Sequence, residues 1–378
     1  MPSIRDLMRP NVGEIRPYRE GKSHPGAVKL SANENPLGPS PKALQAMREL
    51  APQVRLYPDP LCLELTARLA ERLGVASENL IIGRGSDEII HMLGLAFLRP
   101  GDEVIYADPP FALYPFTAKL MDCQSVAVPL KRFVHDLPGM AAAISERTRL
   151  IFVANPHNPT GTIVPRAQAE AFVHDLPEHV ILAWDAAYHE YVTDGDYVDP
   201  LRLIEQRPNV IVLRTFSKIY ALAGLRVGYG VAGPELIQVL TQVREPFNVS
   251  SVAQAAALAS LDDPGQVTRG VQVNEEGKGY LYEQFEALGL EYVPTQANFI
   301  LVNIGIDSVE AFERLAKAGY TVRTGDIWDL NTWIRLTIGT QEQNEGFAKA
   351  LRECLRESVI GNWSDCHPER SEGSRRGI

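Results

Sequence analysis

Apolar residues in the middle of this chain come in short unbroken runs rather than in alternation. The runs cover residues 80–82, 103–106, 150–154, 180–184 and 210–213, and a strand that is apolar at every position is one covered on both faces. Between the runs the spacing becomes that of amphipathic helices, so this part predicts a mostly parallel sheet wrapped by helices: an α/β fold. Helix starts are marked as well. Ser40-Pro41 reads as an N-cap with a first-turn proline, and Ser86-Asp87-Glu88 opens a helix through IIHMLGLAF. After about Asp263 the rhythm changes to a helix over 267–288, a strand-like ANFILVNI, a helix over 308–318, Tyr320-Thr321-Val322, IRLTI and a last helix to Glu357. This predicts a smaller α+β domain. The expected division is an arm over 1–39 packing with the small domain, a large domain over 40–263, a small domain over 264–358 and a disordered polar tail over 359–378.

Composition narrows the function classes. The chain has 378 residues, 45% of them hydrophobic and 22% charged, as in a soluble globular protein with more than one domain. A net charge of −10 argues against nucleic acid or an anionic membrane as partner. It leaves an acidic small molecule open, because a few clustered arginines outweigh a global sign. Four cysteines (Cys62, Cys123, Cys354, Cys366) form no C-x-x-C, so reduced thiols in a cytoplasmic protein are expected rather than a disulfide framework or a zinc knuckle. No apolar run approaches the ~18 residues of a membrane span, and no secretory h-region is read at the start. The eight histidines are scattered, and no metal site is expected.

Chemistry concentrates just after three of the strands. Residues 150–154 run into Asn155-Pro-His-Asn158-Pro-Thr-Gly161, residues 180–184 into Asp185-Ala-Ala-Tyr188, and residues 210–213 into Arg214-Thr215-Phe216-Ser217-Lys218. Open parallel sheets bind ligands at these carboxyl ends. Taken singly, an Asn-Pro is a turn, an Asp after a strand is a helix cap and a Lys after a Ser is a solvated charge. In order at successive strand ends, they predict a site.

The run SKIYALAGLRVG over 217–228, with Lys218, Gly224, Arg226 and Gly228, resembles the lysine signature of the aspartate-aminotransferase superfamily. Asn158-Pro-Thr-Gly161 and Asp185-x-Ala-Tyr188 precede it in the superfamily's order. Further pieces, LSANENPLGPSP, Tyr57-Pro58-Asp59, GRGSDEII, EPFNVSSVAQAAALASL, Ala297-Asn298-Phe299 and IRLTIGT, are similar to the histidinol-phosphate aminotransferase family. The resemblance covers roughly residues 4–357. It implies the aspartate-aminotransferase fold, with a large sheet of the seven-stranded type, and pyridoxal 5'-phosphate as cofactor, carried as a Schiff base on Lys218, which also serves as the base at the substrate carbon. Asp185 would face the ring nitrogen, and Asn158 and Tyr188 the ring oxygen. Gly85, Ser86 and Asp87 at a helix start, with Thr215, Ser217 and Arg226, would hold the phosphate. Tyr57 would reach that phosphate from a neighbouring subunit, making a homodimer with shared sites. Phe111 falls where the family stacks an aromatic ring on the cofactor, and Tyr114 competes for that place.

On the substrate side, Arg335 matches the superfamily's anion-binding arginine, with Arg323 and Tyr18 beside it and Asn33 near. The implied reaction moves the amino group of L-histidinol phosphate, the amino donor, to the 2-oxo acid 2-oxoglutarate. An aromatic amino-acid aminotransferase and a threonine-phosphate decarboxylase share the same motifs. An aminotransferase-like regulatory module would need a DNA-binding domain, for which there is no room ahead of Leu30. Two positions depart from the family pattern. Ala186 stands where Glu usually follows the ring aspartate, and His157 where Asn is more common. Both bear on substrate preference, not on the catalytic set.

Overall fold

The computed structural model describes residues 3–15 and 24–364, with side chains to 356. Among the described residues, thirteen strands form three sheets: β1 (Val28–Lys29), β2 (Leu80–Gly83), β3 (Glu103–Asp108), β4 (Gln124–Pro129), β5 (Thr148–Ala154), β6 (Ile181–Asp185), β7 (Val210–Thr215), β8 (Gly228–Ala232), β9 (Tyr292–Val293), β10 (Phe299–Asn303), β11 (Tyr320–Thr321), β12 (Arg323–Thr324) and β13 (Trp333–Thr337). The large sheet has seven strands in the order β2-β8-β7-β6-β5-β3-β4. All are parallel except β8, which runs against both its neighbours.

The unbroken apolar runs have a direct cause. Successive side chains in a strand face opposite ways, and here both directions lead into a buried layer. Leu150, Phe152 and Ala154 of β5 pack with helices Ser86–Phe97, Leu113–Leu120 and Pro234–Val243. Ile151 and Val153 of the same strand pack with helices Leu137–Ala142, Arg166–His174 and Pro200–Gln206. A third layer, built from helices Pro41–Leu50, Leu63–Leu73 and Ser251–Leu261, covers the β2–β8 edge. The Ser40 cap is formed as expected: its hydroxyl accepts from the Ala43 N–H.

Around a second sheet, ordered β12-β13-β10-β9, helices Pro264–Ala287, Ser308–Lys317 and Gln341–Ser364 enclose a separate core that includes Phe285, Phe312 and Phe347. The last helix runs past Glu357, where the sequence pattern ends it, to Ser364. The rest of the expected tail, with Cys366, lies outside the described residues. The early chain is divided between the two bodies. Asn11 Nδ2 donates to the carbonyls of Lys119 and Leu120, whereas β1 pairs in parallel with β11 and Thr337 N–H donates to the Leu30 carbonyl at 2.8 Å. That second attachment carries residues 31–35 along the second sheet and up to the ends of the large-sheet strands.

Candidate active site

The reversed strand β8 decides where the site lies. Its first residue, Gly228, is the register partner of Gly83 at the end of β2 and of Thr215 at the end of β7. The turn after β2, the end of β7 and Arg226 therefore converge. A Cβ on Gly228 would lie 2.5 Å from the Ser86 nitrogen and 2.9 Å from the Arg214 carbonyl, so only glycine allows that approach. Gly85 caps helix Ser86–Phe97 at φ 75°, and a Cβ there would meet Arg226 Nη2 at 2.7 Å. Thr215 Oγ1 lies 2.9 Å from Ser217 Oγ, and Arg226 Nη1 lies 3.4 Å from that same Ser217 oxygen. Arg226 Nη2 also pairs with Asp87 Oδ2 at 2.9 Å, which neutralises the acid nearest the cup. A helix start, two hydroxyls and a guanidinium, drawn together by close packing at two glycines, suit a phosphate.

Beside the cup, β6 ends in Asp185, 7% exposed. Its oxygens accept from the Tyr114 hydroxyl at 2.8 Å and the Ala187 N–H at 3.1 Å, both neutral donors. Burial raises its pKa to about 6, with these two bonds opposing the shift. A buried carboxylate of this kind is suited to a cationic N–H. Tyr114 thus has a role that the sequence reading did not assign: its ring is stacked on Phe152 at 4.4 Å and its hydroxyl serves Asp185. Phe111, half-buried and edge-on to Tyr114 at 5.4 Å, remains for the stacking position.

Lys218 Nζ lies 3.4 Å from the Ala32 carbonyl and 5.5 Å from the centre of the Tyr188 ring. The Tyr188 oxygen accepts from Asn33 Nδ2 at 2.9 Å and from Asn158 Nδ2 at 3.5 Å. A phenol has one proton and two lone pairs. With both lone pairs engaged, its own O–H is left to donate. Asn158 Oδ1 in turn accepts from Arg335 Nη1 at 2.5 Å, and Arg335 Nη2 donates to the Ser31 carbonyl at 2.9 Å. Arg335 is 8% exposed, and its guanidinium carbon lies 5.3 Å from the centre of each of the Phe299 and Trp328 rings.

Arg323 and Arg335 are direct partners across β12–β13. Register partners lie on the same face of a sheet, so the pair offers an anion two guanidinium groups from one face. Trp328 and the Ser31 and Ala32 carbonyls escaped the sequence reading, since no local motif marks them. Tyr18 lies outside the described residues. Tyr57 stands apart from the other candidates: it is 83% exposed and stacked on Phe247 at 4.7 Å. Among the described residues no group of His, Cys, Asp and Glu could hold a metal, and no helix is long and apolar enough to cross a membrane.

His157 occupies the turn that presents Asn158. Its Nδ1 lies 2.9 Å from Thr160 Oγ1, and its ring meets His135 edge-on at 4.6 Å. Burial lowers both pKa values, that of His135 to about 4 and that of His157 well below the usual 6.5. The unfolded chain then binds more protons than the native one below pH 6.5, so the stability these residues contribute is complete above about pH 6.5 and is lost as pH falls toward 4. Asp185, raised, works in the opposite sense, so variants must separate the terms. Urea unfolding at pH 7 and pH 5 should show wild type losing more stability than His157→Asn. Equal losses would mean that folding does not shift the titration of His157.

The profile of the aminotransferase class I and II family matches residues 25–351. A histidinol-phosphate aminotransferase of Moorella thermoacetica is 53% identical over 351 residues, 90% of this chain and 91% of that one. One of Caldicellulosiruptor saccharolyticus is 42% identical, over 90% of this chain and 96% of its own. Among solved structures, histidinol-phosphate aminotransferase of Sinorhizobium meliloti in complex with pyridoxal 5'-phosphate superposes with a TM-score of 0.87 at 29% identity, covering 93% of this chain and 98% of that one. A double mutant of Thermus thermophilus aspartate aminotransferase gives 0.78 at 28%, over 88% and 91%.

Proposed function

This chain belongs to the class I and II aminotransferases, and on that footing we propose that it transfers the amino group of L-histidinol phosphate to 2-oxoglutarate, forming imidazole acetol phosphate and glutamate in histidine biosynthesis. Pyridoxal 5'-phosphate is its cofactor: an aldehyde that captures the amino group and a ring that takes up the electron pair left on the substrate carbon. The cup with Thr215, Ser217 and Arg226 would hold the phosphate, and the buried Asp185 the ring nitrogen. Reduced thiols and a soluble biosynthetic reaction make the cytoplasm the expected location.

Each step that falls to the protein has a candidate. Lys218 Nζ takes the proton from the amine-bearing carbon and returns it on the other side of the transfer. Asp185 would keep a proton on the ring nitrogen, where positive charge favours uptake of electrons. Tyr188 would donate its O–H to the ring oxygen, with Asn158, held by Arg335, beside it. Phe111 would cover a ring face. Borohydride reduction of the holoenzyme followed by peptide mapping should find the cofactor on Lys218. Lys218→Ala should retain cofactor but lose transamination by several orders of magnitude, and an adduct on a different lysine would overturn the assignment.

The observation that carries the substrate is the cross-strand pair Arg323–Arg335, a site for a doubly charged anion at the far end of an amine. The names of the relatives point to the same donor. Replacing Arg335 removes charged hydrogen bonds to that phosphate and should lower kcat/KM for histidinol phosphate by about ten- to a hundred-fold. Activity on histidinol, already poor for lack of the phosphate, should change far less. A wild type that prefers phenylalanine or tyrosine would mean that the arginine reads a carboxylate, with an aromatic aminotransferase as the result.

Assembly as a C2 homodimer completes the reading. Tyr57 is almost wholly exposed in a stretch that also exposes Val54, Leu56, Leu61 and Leu63, a larger apolar surface than a monomer leaves to water without reason. Tyr57 of the partner subunit would then reach the phosphate cup. Mixing inactive Lys218→Ala with Tyr57→Phe should produce heterodimers with one site intact at both positions, and so a gain in activity. Full activity in a monomer at micromolar concentration would sink the shared site.

A further inference from the structure

Two residues with no part in the site so far tie the phosphate turn to the surface that carries Tyr57. Glu88, in the first turn of helix Ser86–Phe97, is 7% exposed. Its Oε2 accepts from the Arg84 N–H at 2.6 Å and from Asn248 Nδ2 at 2.7 Å. Asn248 Nδ2 also donates to the Ile82 carbonyl at 3.2 Å. The turn after β2 is thus closed by a buried carboxylate and clamped from the side by an amide 160 positions away. There is little slack in it: a Cβ on Gly83 would meet Ile89 Cγ1 at 2.9 Å and the Gly85 carbonyl at 3.0 Å. A carboxylate this near an anion site would weaken the anion unless its charge were committed to donors, as it is here.

The clamp continues outward. Phe247, next to Asn248, holds φ 59°, a left-handed conformation that costs a bulky side chain energy. Its ring carries Tyr57. Gln254 Nε2 fastens the two segments together, donating to the Asp59 and Val249 carbonyls at 2.9 Å each. Contacts therefore run without a gap from the Arg84–Ser86 turn through Glu88, Asn248 and Phe247 to Tyr57.

We infer that Glu88 and Asn248 are positioning residues that couple cofactor binding in one subunit to the docking of that subunit's Tyr57 on the other; this rests on the shared-site reading above. A phosphate held by the turn fixes the Arg84 N–H, and through Glu88 and Asn248 fixes the Phe247 backbone on which Tyr57 rests. Cofactor and partner favour one arrangement of the same segment. Each must then tighten the other by an equal factor.

The test measures the dimer dissociation constant by sedimentation, with saturating pyridoxal 5'-phosphate and after its removal. In wild type the loaded dimer should be tighter by on the order of ten-fold. Glu88→Ala should bind the cofactor about ten- to a hundred-fold more weakly, with the loaded-to-stripped ratio falling toward one. Glu88→Gln, whose amide oxygen can accept both bonds, should keep most of each. Phe247→Gly removes the stacked ring at a backbone angle glycine accepts, so it should fold, bind the cofactor nearly as wild type does and still lose the ratio. Thermal midpoints of the stripped proteins identify any variant that fails to fold, and Glu88→Gln with Phe247→Gly then decide. A ratio unchanged in Glu88→Ala and Phe247→Gly overturns the coupling through these residues and leaves the shared site standing, whereas a wild-type ratio of one overturns both. A loaded wild type that is monomeric overturns the shared site itself, and the coupling with it.

Discussion

A carboxylate held in an apolar layer is the most demanding group in this protein, and the site is arranged around Asp185. It closes a strand whose preceding residues Leu182, Ala183 and Trp184 have essentially no exposed surface. Leaving water there costs several kcal/mol that neutral donors only partly return. Tyr114 and the Ala187 N–H reduce the penalty without removing it, and the raised pKa is the residue of that imbalance. The group that would complete the balance is a protonated ring nitrogen. On the proposed reading, the affinity for cofactor and the electronic role of the ring would both come from this one electrostatic requirement.

Two places in this chain suit an anion, by different means. At the phosphate cup the decisive element is backbone: a helix start brought against a glycine on a reversed strand, with Arg226 neutralised in part by Asp87. At the substrate end it is side chains: two arginines opposed across β12–β13, one of them between aromatic rings. The first arrangement is rigid and suits a resident group. The second stands on the other sheet, reached by the chain through residues 31–35, and suits a molecule that comes and goes. Arg335 is joined through Asn158 to Tyr188, so an anion at the arginine and a group bound at the Tyr188 hydroxyl would share one run of hydrogen bonds.

What the sequence by itself determined follows from interactions local in the chain. Strand runs buried on both faces, the Ser40 cap, the polar residues closing β5, β6 and β7 and the lysine signature are all written within a few consecutive residues. The resemblance to known aminotransferases rests on the same short motifs. The ends of elements were less legible: the last helix continues to Ser364, past Glu357 where the apolar pattern ends it.

Only the tertiary structure decided which ring serves Asp185, since Phe111 and Tyr114 are both aromatic and one helical turn apart, and the stacking of Tyr114 on Phe152 is a contact between distant strands and helices. The reversal of β8, the placing of Ser31 and Ala32 at the site, the pairing of Arg323 with Arg335 and the clamp of Glu88 by Asn248 belong to the same class. Each joins residues whose own neighbours in sequence give no sign of the partner. Local patterning encodes which groups a segment offers; which of them meet is set by how sheets, caps and loops close on one another in space.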